Sequence, residues 1–71
     1  MDYEVMMAKA KAAVHSVDPN VDTDKLNLIY SSNMMELTRV LLMPTGVDKI
    51  YAVTLNTLDD SSSVKSYIPA I

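Results

Sequence analysis

The stretch "DPNVDTDKLNLI" (residues 18–29) sets an oxygen-bearing side chain at every second position: Asp18, Asn20, Asp22 and Asp24. That spacing is how a calcium loop of the EF-hand type begins. Such a loop also needs a glycine at its sixth position for the sharp turn and a bidentate acid at its twelfth. Counted from Asp18, those positions hold Thr23 and Ile29, and Pro19 stiffens the second. The stretch therefore reads as a solvated connector, in which Asp18 and Pro19 end one element and Asp22 or Asp24 leads into the next. No metal site is expected.

The other reactive side chains are as thinly supported. His15 is the only histidine, and a ligand set around it would contain nothing beyond carboxylates such as Asp18. Near the C-terminal end of a helix, an exposed imidazole is favoured by the helix dipole alone. Ser61, Ser62 and Ser63 follow Asp59 and Asp60, but the glycine framework of a nucleophile elbow and a second histidine are both missing. Asp59 and Asp60 are adjacent, so in extended chain their side chains diverge and do not form an acid/base pair. The single glycine, Gly46, excludes a glycine-rich phosphate cradle. With no cysteine there is no disulfide, thiolate ligand or thiol nucleophile. Neither catalysis nor a cofactor is expected.

The elements around these residues carry more information. Residues 2–17 read as an amphipathic helix: Tyr3, Met7, Ala10, Val14 and Val17 recur at steps of four and three, with Met6 and Ala13 widening the stripe. Asp2 and Glu4 at its start and His15 near its end suit the helix dipole, and Pro19 stops it. In "KLNLIYS" (25–31) the period shortens to two, as in a half-buried strand, and "SSN" (31–33) offers a turn. "VDKIYAVTLNTL" (47–58) is the clearest strand, with Tyr51, Val53 and Leu55 facing one way and Ala52, Thr54 and Asn56 the other. "DDSSS" (59–63) offers a second turn, and "VKSYI" (64–68) a short edge strand before Pro69.

"MMELTRVLLM" (34–43) fits two descriptions. As a helix it would be capped by Asn33 and ended by Pro44. As a strand, Met35, Leu37, Leu41 and Met43 share a face opposite Val40 and Leu42. The five-residue "PTGVD" (44–48) suits a hairpin loop to the next strand, which favours the strand. The expected fold is α+β: an N-terminal amphipathic helix packed on a small antiparallel β-meander of three to four strands, forming one domain over residues 1–71.

Composition narrows the function. Nine acids against six scattered bases argue against binding a phosphate backbone. No apolar run approaches a membrane span, and two acids precede the first lysine, the reverse of a secretion signal. A cytoplasmic protein binding neither membrane nor nucleic acid is expected. Yet 49% of the chain is hydrophobic, built from aliphatics, four tyrosines and six methionines, with no Phe or Trp. A domain of 71 residues leaves much of its surface in water, so so apolar a chain calls for something to cover part of it. The expectation is a non-catalytic protein-binding module, a regulator or inhibitor that occupies a surface of a larger protein and forms a homodimer. The alternative is a structural or assembly subunit of a multiprotein particle. The partner interface is expected at Met34, Met35, Val40, Leu42, Tyr67 and Ile68, with Leu41 also near the contact. Ile71 should dock with the tail.

Overall fold

A computed structural model describes residues 2–69. Ile71 lies outside the described residues. The chain runs α1 (Tyr3–Val17), a short 3-10 turn (Thr23–Lys25), β1 (Leu26–Met34), β2 (Leu37–Pro44), β3 (Ile50–Asn56) and β4 (Ser62–Tyr67). The four strands form one antiparallel sheet in the order β1-β2-β3-β4, and α1 packs across β3 and β4. The expected α+β architecture is the one observed.

Local chemistry explains the helix. Asp2 has extended backbone and its carboxylate accepts from the Glu4 N–H at 3.0 Å, filling the N-cap. At the other end the Asp18 N–H closes on the Val14 carbonyl, and Pro19 follows. Met6, Met7, Ala10, Ala13 and Val14 are buried, whereas Tyr3 and Val17, the two ends of the expected stripe, are exposed. The sheet does not reach that far. The small Ala10 and Ala13 let the helix approach it closely.

Register decides the sheet. Val40 lies opposite Val53, and Leu42 opposite Tyr51. Val53 in turn lies opposite Val64. With Leu55 and the helix stripe these residues form one buried cluster. Thr38 is the buried polar residue among them, and its hydroxyl donates to Asn33 Oδ1 at 2.7 Å, which removes the cost of burying it.

Three features differ from the sequence-based expectation. "SSN" is not a turn: Ser31, Ser32 and Asn33 pair with Val40, Arg39 and Thr38, and β1 continues to Met34. Polar residues can stay in strand there because this end of the edge strand is wet on both sides: Ser31 and Asn33 are exposed and Ser32 is half-exposed. The connection is instead the two-residue loop Met35–Glu36, with Met35 at φ 55, so Met35 shares no strand face with Leu37. The second turn also comes earlier, since Ser62 and Ser63 already belong to β4. Residues 37–44 are strand, as the hairpin loop implied. Gly46 in that loop takes φ 78, a conformation that glycine adopts without strain.

Candidate interaction surface

Because side chains alternate across a strand, burying Thr38, Val40 and Leu42 under α1 turns Leu37, Arg39, Leu41 and Met43 to the opposite face. Pairing carries this outward. Leu41 lies between Tyr30 of β1 and Ala52 of β3, and Ala52 lies opposite Lys65 of β4. One row further along, Ile50 lies opposite Tyr67. On the other side, Arg39 sits between Ser32 and Thr54, and Thr54 meets Ser63. The result is an apolar band of Tyr30, Leu41, Met43, Ile50, Ala52 and Tyr67 on the face away from the helix. No element among the described residues covers it. Leu41, Met43, Ile50 and Ala52 are half-buried by their neighbours, while Tyr30 and Tyr67 are exposed at the two margins.

The strands of this sheet contain two ionisable chains other than tyrosine, Arg39 and Lys65, and both are exposed on the open face. All nine acids lie elsewhere, in the helix start, the connector and the loops. The open face is therefore apolar and cationic on a chain of formal net charge −3.

Of the interface residues expected from sequence, Tyr67 lies at the margin of this face, and Ile68 follows it, 77% exposed. Met34 ends β1 opposite Leu37 on the same face and is 74% exposed. Met35 is 95% exposed at the hairpin tip. Val40 and Leu42 are corrected: both are 0% exposed beneath α1 and cannot meet a partner while the helix is docked. Leu41, which the sequence also put near the contact, and Met43 are the residues of the same strand that lie on the open face. Tyr30, Ile50, Arg39 and Lys65 were not singled out from sequence. The alternation of Ile50, Ala52 and Thr54 against Tyr51, Val53 and Leu55 was the signal for Ile50.

The residues weighed for chemistry are engaged in structure. Asp22 caps the 3-10 turn by accepting from the Asp24 N–H at 3.1 Å. Asp18 accepts from the Tyr51 hydroxyl at 2.8 Å and lies 3.8 Å from Lys49 Nζ, which also stands over the Tyr51 ring. Burial, followed by the bond to Asp18, pushes the Tyr51 phenol above its usual value, against the pull of Lys49. This trio lines an open cleft of about 400 Å³ together with Val21, Pro44 and Val47. Asp59 is held below the ordinary carboxylate range, first by its bond with the Ser61 side chain and also by the Ser61 N–H. Asp60 pairs with Lys9 at 2.7 Å. His15 is exposed on the helix. Among the described residues, no three His, Asp or Glu side chains gather as a metal ion would need, and no helix is long and apolar enough to cross a membrane.

Comparison with known proteins finds no matching family model, curated protein or solved structure.

Proposed function

We propose that this protein is a non-catalytic protein-binding module, a regulator or inhibitor that occupies a surface of a larger protein with the open face of its sheet. The observation that carries this reading is the uncovered band from Tyr30 through Leu41 and Ile50 to Tyr67. A sheet packed on one side by a helix is complete when its other side is polar, as in antiparallel sheets that face water. Here three of the six band residues are aliphatic and a fourth is methionine, and contiguous apolar surface of this kind marks protein contacts.

The sheet edges support the face, and not strand addition, as the docking element. In β1 the register shifts between Leu28 and Tyr30, leaving Ile29 as an extra residue, and β4 carries Lys65 near its middle. Bulges and edge lysines are the devices that discourage edge-to-edge pairing.

A second reading, a structural or assembly subunit, rests on a separate feature. Met35 and Leu58 are both exposed at the turn end of the sheet, where Thr57 N–H bonds the Glu36 carbonyl at 2.8 Å and holds the two turns together. A chain with two apolar surfaces can bridge neighbours. The expected homodimer is the weaker form of either reading, because two open faces packed together would juxtapose four cations with no strand carboxylate between them.

Affinity capture from a native lysate, with wild-type bait beside Leu41→Glu, separates these readings. A binding module retains one stoichiometric foreign protein that Leu41→Glu loses. Self-assembly alone, or a partner that Leu41→Glu keeps, contradicts the proposal.

A further inference from the structure

Resting on that reading, we infer what kind of partner the open face takes: an amphipathic helix from another protein, bearing two carboxylates about two turns apart that pair with Arg39 and Lys65.

The inference begins with charge. A face built only for apolar contact has no need of cations, and lysine or arginine there must be desolvated or displaced when a partner arrives. Arg39 and Lys65 flank the band on two sides. Arg39 stands beyond Leu41 in β2, and Lys65 stands beyond Ala52 in β4. No acid of the strands neutralises either one, and neither makes an ion pair among the described residues. Carboxylates at the matching places on a partner convert both from a cost into a source of specificity. The overall negative charge does not override this, since fields are screened within about 8 Å at physiological salt and the two cations are then the local field.

A helix meets the geometry of the two cations. Arg39 and Lys65 are separated by two strand spacings and a two-residue offset along the strands, which places their Cα atoms about 12 Å apart. Residues i and i+7 of a helix lie on one face about 10.5 Å apart, so glutamates at those positions reach both cations. The residues at i+3 and i+4 between them then rest over Ala52 and Thr54 of β3, with Leu41 beside them. A helix is also the element that already covers the other side of this sheet, and helix-on-sheet layering is among the few stable solutions for an apolar sheet face.

The test uses three fluorescein-labelled synthetic peptides, alike in helicity and leucine face, that carry Glu, Gln or Lys at positions i and i+7. Fluorescence anisotropy at 0.15 M salt is read against the wild-type protein and against the Arg39→Gln/Lys65→Gln double variant. The expected result is at least tenfold tighter binding of the Glu peptide than of the Lys peptide, a preference that collapses in the double variant. Equal binding of all three peptides overturns the carboxylate pairing and leaves the docking face standing. A preference for the Lys peptide, or one that survives in the double variant, also overturns it. Binding of none, or a stable dimer of the protein that excludes all three, overturns the inference together with the face on which it rests.

Discussion

Leu41 and Leu42 are adjacent in one strand, identical in chemistry and assigned to opposite fates. Replacing each in turn by alanine tests the assignment of faces. Leu42 is fully buried between Leu28 and Tyr51 under α1, so Leu42→Ala removes buried methyls and leaves a cavity, a loss of about 2–5 kcal/mol. Stability of about 0.05–0.15 kcal/mol per residue gives a chain of this size roughly 4–11 kcal/mol in all. The substitution therefore takes about a fifth of it at the least. At about 4–8 °C per kcal/mol for a domain of this length, the melting temperature should fall by at least roughly 8 °C. Leu41 is half-buried on the open side, outside the buried cluster, so Leu41→Ala should cost about 1 kcal/mol, well below the loss at Leu42. Urea and thermal denaturation followed by circular dichroism measure both. Equal losses, or a larger loss for Leu41→Ala, would refute the register-based assignment and with it the location of the proposed binding surface.

Three further outcomes follow from particular residues. Met35 holds a left-handed backbone that costs a non-glycine residue about 1–2 kcal/mol, and its side chain is almost wholly in water. Met35→Gly gives back part of its gain through the freer unfolded chain, so urea denaturation should show a net stabilisation of about 0.5–1 kcal/mol; a loss would mean the side chain contributes to the fold. The Tyr51 phenol is raised above its unfolded value of about 10, so its contribution is complete below pH 10 and fades as pH climbs through the folded value. Tyr51→Phe should cost about 1 kcal/mol at neutral pH and make the alkaline limb of the stability curve shallower; an unchanged limb would contradict the burial of the phenol and its bond to Asp18. Calorimetric titration with calcium should give no micromolar one-site isotherm, because Asp18 and Asp22 are occupied by Tyr51 and by the cap of the 3-10 turn; a clear isotherm would overturn that reading of the connector.

The sequence was legible where period and burial agree. The helix repeat and the alternation of residues 50–56 give α1 and β3 directly, because in each the large buried side chains recur at the period of the element. Legibility fails where that contrast fails. In "RVLLM" both sides are apolar, so pattern alone cannot say whether Leu41 or Leu42 faces the helix; the pairing Val40↔Val53 settles it. That is why Val40 and Leu42 were expected at an interface although they face the helix, while Leu41 and Met43 lie on the open face. Polar "SSN" has turn-like composition, yet it extends β1 because the loop falls at Met35–Glu36. Two-residue hairpins favour glycine, asparagine or aspartate at positive φ, and a methionine there gives no local signal. Arg39 and Lys65 look scattered along the chain. Only the meander brings them to one face.

Hydroxyl-radical footprinting of the protein alone and in its captured complex reaches the central claim most directly, since it reads side-chain exposure residue by residue. The account predicts that Tyr30, Leu41, Met43, Ile50 and Tyr67 are oxidised in the free protein and protected in the complex, while Tyr3 and Val17 at the helix ends react equally in both. Protection confined to the helix, or an open face already protected in the free protein, would contradict it.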